Sequence, residues 1–437
     1  MLPHLHVNEL HKDLMMKIER GPQMMHHLAV AVRALDPPGG GAERSLSSLL
    51  RGISIEGEGF DSSAKFSPLH PTPPLTSQLM QPWKVSALYS KDGGEQTNLL
   101  TDDILTSRID LPSESFFSGL AWRLRSRRSG HPNSFFLKNH LQRINLEFYQ
   151  KVSNWLDTFD ILPTLGLTQL EWSAGAAQAF RERNIPYLLF VRDDIPSRFP
   201  SIFRQAIEDA ICVCTAGEGL GKQVASQFSM KMNVNIPLPI DYSSRFKSIE
   251  NVEKIRKIGL QKREDNNSLS SPHFTIIGVT PEKGLRTYHK LFPYLLRRWP
   301  EAHFHIYGSG SYVEQLGRYP NTTLHGHVSV EHAFASTDVH LLIVESTGSW
   351  GRVINEAGLF SIPSVTCSIG SQPEAVGKGG IVIPNHHNLK SFEQSLRECW
   401  NDRHQLGELA LQHSGITDHR RSISIFRSLL EDIVSEM

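Results

Sequence analysis

Short apolar runs alternate with amphipathic segments along almost the whole chain. Strands buried on both faces read as near-continuous apolar runs, whereas surface helices place apolar residues three and four apart. The first run is HLAVAVRAL, starting at His27, and PPGGGAERSLSSLL after it reads as a glycine turn opening into a helix. A second strand is predicted over 84–89, and residues 115–158 read as helical. DILPT then reads as a strand and GLTQLEWSAGAAQAFRERN as a helix. PYLLFV, AICVCTA and NVNIPLP follow as strands, separated by the helices SIFRQAIED and GEGLGKQVASQF. Residues 57–82 are rich in Ser, Pro and Gly, lack periodicity, and read as a mobile loop.

A polar stretch over 243–272 reads as an interdomain connection with a short helix, and the alternation then restarts. HFTIIGV, AHFHIYG, TTLHGH, DVHLLIV, SIPSVTC and GIVIP are predicted strands, with helices between them and two or three more closing the chain. Repeated β-α alternation marks parallel, doubly wound sheets. The expected organisation is two tandem Rossmann-like α/β domains facing across a cleft. Residues 1–26 would be an extension, 27–242 the first domain, 243–272 the linker, 273–415 the second domain and 416–437 a C-terminal helix. No 20–50-residue repeat is present, which excludes a solenoid.

The 437 residues suffice for two or three domains with cores of ordinary size. Lys+Arg and Asp+Glu both number 45, and this zero balance argues against a nucleic-acid-coating protein. Four cysteines exclude a disulfide scaffold. Cys212 and Cys214, spaced C-x-C on a predicted strand, are expected on opposite faces, and all four cysteines read as reduced thiols. No apolar run approaches the 18 residues of a membrane span, and the first residues do not resemble a secretory signal. The expected location is the cytoplasm, with peripheral contact at the inner membrane face. The 21 histidines are scattered, H-E-x-x-H is absent, and the doublets His26-His27 and His386-His387 show no ligand partners nearby in sequence. No metal is therefore expected.

Ligands of doubly wound sheets bind at strand carboxyl ends. Five glycine-bearing turns fall there: Gly39-Gly40-Gly41, Glu282-Lys283-Gly284, Gly308-Ser309-Gly310, Gly348-Ser349-Trp350-Gly351 and Gly370-Ser371-Gln372-Pro373-Glu374. Glycine lets backbone amides approach an anion, and a helix N-terminus favours negative charge. Lys283 immediately precedes a predicted helix, where an ammonium can pair with phosphate; the alternative is a solvated turn lysine. Glu356 lies inside a helix, where its two oxygens can take adjacent sugar hydroxyls; the alternative is an exposed helix glutamate. Arg192 and Asp193 follow PYLLFV, and Asp193 or Asp194 can simply cap the next helix.

Taken together, Gly39 to Glu43 and Phe274 to Pro384 resemble glycosyltransferases of the GT-B fold, specifically the retaining family 4. IIGVTPEKG is similar to that family's strand and Lys-Gly turn, HFHIYGSG to its strand ending in G-x-G, and WGRVINEAGLFSIPSV to its Gly, Glu-Ala and Pro-Val stretch. GSQPEAVGKGGIVI is similar to its Pro-Glu turn and next strand. The resemblance implies transfer from a nucleoside diphosphate sugar, used as co-substrate without metal or other cofactor. On it, Gly39, Gly40 and Gly41 lie against phosphates and acceptor, and Lys283 neutralises the diphosphate. Gly308, Gly310 and Gly351 let the donor approach, Glu356 holds the ribose, and Ser371 and Glu374 line the donor pocket. The chain departs from the pattern in three places. Gly278 and Val279 stand where the family has an arginine, and Gly348 stands where it has a glutamate, with Glu345 three residues early. Arg192-Asp193 replaces a histidine.

The expected acceptor is a glycan, a lipid-linked precursor or a small molecule. Arg123, Arg125, Arg127 and Arg128 with Phe116, Phe117 and Trp122 suit anionic lipid, or form a solvated helix face with its aromatics turned inward. Two other functions fit the chain: a catalytically impaired glycosyltransferase-like binding protein, motivated by the departures, and a nucleotide-sugar epimerase of the same architecture.

Overall fold

The computed structural model of the chain describes residues 25–33, 35, 41–54, 82–90, 104–109, 134–169, 173–192, 200–240, 249–265, 271–345 and 350–437. Most of the sequence's 57–82 loop, together with 110–133, 170–172 and 193–199, lies outside the described residues, as does the basic stretch 116–128.

The first domain comprises β1 (His27–Ala31), α1 (Gly41–Ser54), β2 (Lys84–Ser90), β3 (Ile104–Ile109), α2 (Ser134–Leu156), β4 (Leu165–Gln169), α3 (Ser173–Glu182), β5 (Tyr187–Val191), α4 (Pro200–Asp209), β6 (Cys212–Thr215), α5 (Glu218–Ala225) and β7 (Asn233–Asn235). Its strands are parallel, in the order β3-β2-β1-β4-β5-β6-β7. Helices cover both faces, so successive residues of β1 enter two different cores. Leu28 and Val30 pack with Leu46, Leu49 and Leu50 of α1, while Ala29 and Ala31 pack with Phe148, Ala176 and Phe180. The period of two along a strand dictates this division.

α6 (Ile249–Asp265) joins the domains. The second contains β8 (His273–Ile277), α7 (Leu285–Arg298), β9 (His303–Tyr307), α8 (Ser311–Glu314), β10 (Thr322–Gly326), α9 (Val330–Phe334), β11 (Val339–Leu342), α10 (Arg352–Leu359), β12 (Ser364–Cys367), α11 (Gln372–Val376), β13 (Gly380–Ile383), α12 (Leu389–Asn401) and α13 (Arg403–Ser414). Its parallel order is β10-β9-β8-β11-β12-β13. α14 (His419–Ser435) then returns to the first domain, where Ile423, Phe426, Leu429, Leu430 and Ile433 join the core of Leu28 and Val30.

Several expectations need correction. DILPT is not a strand: the strand is Leu165–Gln169, paired with β1 and β5, and α3 starts only at Ser173. Ile161 is 80% exposed, and Pro163 has no amide to give a sheet. Cys212 and Cys214 share a face, because residues two apart on a strand point the same way. Their Sγ atoms are 4.0 Å apart, and all four cysteines are free and buried. The helix in the 115–158 region is described over Ser134–Leu156, and the linker helix is 17 residues long rather than short. β3 falls where no strand was predicted; it is an edge strand of mixed exposure. Among the described residues, no helix is long and apolar enough to cross a membrane.

Candidate functional site

Each sheet changes its winding direction once, between β1 and β4 and between β8 and β11. A crevice opens at such a switch point beyond the strand carboxyl ends. In the second domain the turn after β8 and the turn after β11 flank it, and they touch: Glu345 donates its amide to the Glu282 carbonyl at 2.8 Å.

The turn after β8 starts at Gly278, with φ 71°, and ends at Gly284, with φ 74°, which opens α7. Lys283 is exposed there, its amide held by Thr280 Oγ1 at 3.1 Å. Gly308 and Gly310, with φ 121° and 103°, follow β9. Gly278 donates to the Tyr307 carbonyl and Gly308 to the Gly326 carbonyl, both at 2.8 Å. A Cβ at Gly278 or Gly310 would meet nothing within 4 Å. The carboxyl ends of β8 and β9 thus form a bare backbone floor beside an ammonium group, suited to a flat polar ligand bearing an anion.

Glu356 is not an exposed helix glutamate. It is 7% exposed, 3.8 Å from Arg352 Nη2 within α10. Gly351, with φ 76°, opens that helix. Trp350 Nε1 donates to Asn355 Oδ1 at 2.7 Å, and Asn355 Nδ2 donates to the Ala375 carbonyl at 3.0 Å, which pins the helix start. Arg352 Nη1 crosses to the other domain, 3.4 Å from Ser45 Oγ in α1. The glycine-loop helix and the Glu356 helix therefore meet, although they lie some 300 positions apart in sequence. Arg352 was not singled out in the sequence; an arginine directly after Gly351 was the available signal.

Ser371 and Glu374 also face the first domain. Ser371 Oγ accepts from the Leu220 amide at 3.2 Å, and the Glu374 carboxylate accepts from the amides of Glu218 and Gly219. Ala216 and Leu238 of the first domain join Trp350, Ile354 and Ala375 in one apolar cluster beside them. Arg192 is buried, its guanidinium 4.7 Å from the Phe190 ring centroid. Gly41 is the first residue of α1, whereas Gly39, Gly40, Asp193 and Gly348 lie outside the described residues.

Glu345 occupies a different place from the one its sequence suggests. Its Oε1 accepts from the amide and hydroxyl of Thr287 at 3.1 and 2.8 Å, so it caps the first turn of α7. Its Oε2 faces His386 Nε2 at 3.6 Å, and His387 stands beside them. The doublet His386-His387 thus has a carboxylate neighbour that sequence proximity did not reveal. Other histidines also gather: His273 Nδ1 and His305 Nε2 are 2.7 Å apart, and His305 Nδ1 and His325 Nε2 are 2.8 Å apart, across β8, β9 and β10. Behind the crevice, burial pushes the Tyr288 phenol up, and its oxygen accepts from the Ile343 amide at 3.3 Å.

Two parallel α/β domains meeting across such a crevice define the GT-B architecture of glycosyltransferases. Residues 271–402 match the family model described as glycosyl transferases group 1, so the second domain is a group 1 glycosyltransferase domain. Solved structures align over nearly the whole chain. HepE of Anabaena, in complex with UDP and glucose, is 14% identical with a TM-score of 0.60, covering 94% of this chain and 100% of that one. Sucrose-phosphate synthase of Thermosynechococcus elongatus is 12% identical with a TM-score of 0.65, covering 94% and 100%. The E. coli trehalose-6-phosphate protein bound with UDP-2-fluoro glucose is 11% identical with a TM-score of 0.62, covering 92% and 98%. No curated protein matches the chain significantly in sequence.

Proposed function

We propose that this protein transfers a sugar from a nucleoside diphosphate sugar, with UDP as the carrier, to a glycan, lipid-linked or small-molecule acceptor. The observation that carries this reading is the meeting of Arg352 with Glu356 and Ser45, which puts the α1 and α10 helix starts together across the cleft. The carboxylate proposed to hold ribose and the glycine loop proposed to face phosphate belong to these two helices. UDP is preferred because HepE is solved with UDP and glucose, and the E. coli protein with UDP-2-fluoro glucose.

In the proposed reaction the glycosidic bond breaks with its electron pair leaving on the diphosphate, while positive charge develops on the sugar. Lys283 and the amides around Gly284 stabilise the leaving diphosphate electrostatically, so no divalent ion is needed there. Closure of the domains excludes water and limits hydrolysis. The acceptor hydroxyl oxygen enters on the face the diphosphate leaves and passes its proton to the departing phosphate oxygen, giving the retention of the family 4 enzymes that the sequence resembles. We assign the reaction to the cytoplasm, and the basic and aromatic composition of 116–128 supports peripheral contact with anionic lipid.

Thermal unfolding with UDP, GDP, ADP and CMP, each at millimolar concentration, tests the donor. A ligand at about 100 times its dissociation constant adds about 2.7 kcal/mol, several degrees for domains of this size. UDP alone is expected to shift the transition, and Lys283→Ala to lose the shift. No shift with any nucleotide removes the reading. Val279 is buried where the resembled enzymes carry an arginine, and this favours the impaired, binding-only alternative. A UDP shift without release of UDP from UDP-glucose, with or without acceptor, selects that alternative.

A further inference from the structure

We propose that Glu345, His386 and His387 form a binding site for one divalent transition-metal ion of the zinc class. Each residue offers one ligand atom, and the three atoms lie within 4.8 Å of one another. The turn after β11 supplies Glu345, and the turn after β13 supplies both histidines. Two histidines and one carboxylate are a donor set that zinc accepts, with the remaining position open to water.

The distances distinguish this cluster from an ordinary polar contact. His386 is 6% exposed, and its Nε2 has no hydrogen-bond partner. It points at Glu345 Oε2 from 3.6 Å, too far for a hydrogen bond. A tetrahedral ion bound at about 2.0–2.1 Å holds its ligand atoms roughly 3.3 Å apart. The pair is therefore spaced to share a cation rather than a proton. A buried nitrogen left without a partner is costly, and a metal ion relieves that cost. His387 is exposed, its ring tilted 49° to that of His386 with centroids 4.1 Å apart, so a small side-chain rotation completes the set.

The carboxylate is already oriented. Thr287 donates twice to Oε1, leaving Oε2 for the ion, in the manner of partners that fix a metal ligand from behind. The other gathered histidines differ: His273, His305 and His325 direct ring nitrogens at one another at hydrogen-bond distance. An ion at Glu345 would tie the turns after β11 and β13 together across β12, and through Glu345 it would stiffen the start of α7 beside Lys283. That role is separate from the metal-free stabilisation of the diphosphate proposed above.

Calorimetric titration of metal-stripped full-length protein with zinc chloride, in phosphate-free buffer, tests the site. One equivalent is expected to bind, and cobalt in its place should give the visible spectrum of a four-coordinate site. His387→Ala removes an exposed ligand, and Glu345→Gln keeps an acceptor for Thr287, so both variants should fold; circular dichroism checks this. Each is expected to weaken zinc binding at least about tenfold. His325→Ala is expected to leave it unchanged. No stoichiometric binding, unaltered binding in both variants, or a loss that follows His325→Ala overturns the proposal. The UDP shift of the metal-stripped protein is read separately, so failure of the metal site and failure of the donor reading are distinguishable.

Discussion

The Glu374 carboxylate in the second domain accepts the backbone amide of Gly219 in the first. The Glu218 amide joins it at 2.6 Å, so one side chain caps the start of α5 from across the domain boundary. A helix start leaves amides without intrahelical partners, and a carboxylate there satisfies them while meeting the positive end of the dipole. A Cβ on Gly219 would stand 2.6 Å from the Gly370 carbonyl oxygen, so only glycine permits the approach. Glu374→Ala is expected to cost about 0.5–2 kcal/mol, the usual loss for a cap, and to enlarge the radius of gyration measured by X-ray scattering. Unchanged stability and unchanged dimensions would show that the contact does not hold the domains together.

Glu356→Gln tests the ribose role without emptying the helix position. Uridine and UDP affinity should both fall about tenfold or more, while inorganic diphosphate binding stays level, because only the nucleoside loses its partner. Equal weakening of all three would assign Glu356 to holding Arg352 in place instead.

Acid should destabilise the first domain through His27. Burial, and then the neighbouring Lys84, push this imidazole down to about 4, and Ser86 Oγ lies 2.8 Å from its Nε2. A depressed folded value means that the unfolded chain takes the proton first. The stabilisation is therefore present above the unfolded value near 6.5 and is lost as pH falls towards 4. Each such histidine contributes at most about 1.4 kcal/mol per pH unit in that window. Urea midpoints should drop between pH 6.5 and 4, and His27→Gln should flatten the drop. His340, buried and pushed down to about 3, adds to the same trend from the second domain. A wild-type profile flat across this window would contradict both assignments.

Gly175→Ala probes the packing of α3 on α2. Its Cβ would lie 2.1 Å from the Asn145 carbonyl oxygen, a backbone atom that cannot rotate away. The Asn145 side chain fastens the same spot, accepting from the Gly175 amide at 2.9 Å. A loss of about 1–3 kcal/mol is expected in chemical denaturation; a neutral result would mean that the two helices separate freely.

The periodicity of the sequence carried most of the fold, because strands buried on both faces leave uninterrupted apolar runs. It misplaced β4, where Ile161 and Leu162 imitate a strand while the paired residues include Gly166. That glycine reads as a breaker, yet a Cβ there would stand 2.8 Å from the Phe180 ring, so it is a packing requirement. β3 stayed invisible because an edge strand keeps polar, half-exposed residues. The turn positions of Lys283 and Gly351 were legible from their glycines. The partners of Glu345 and Glu374, and the Ser45 contact of Arg352, were not, since each lies on an element distant in sequence and only the topology brings it near.

The return of α14 to the first domain means that the chain passes between the two bodies twice, and the passages meet at Ile240 and Asp418. Ile240 pairs with Asp418: its amide reaches the Thr417 carbonyl at 2.8 Å, and the His419 amide reaches its carbonyl at 3.2 Å. A single tether would let the bodies twist as well as bend. Two passages fastened to each other at Ile240 and Asp418 restrict relative twisting of the domains more than one free passage would.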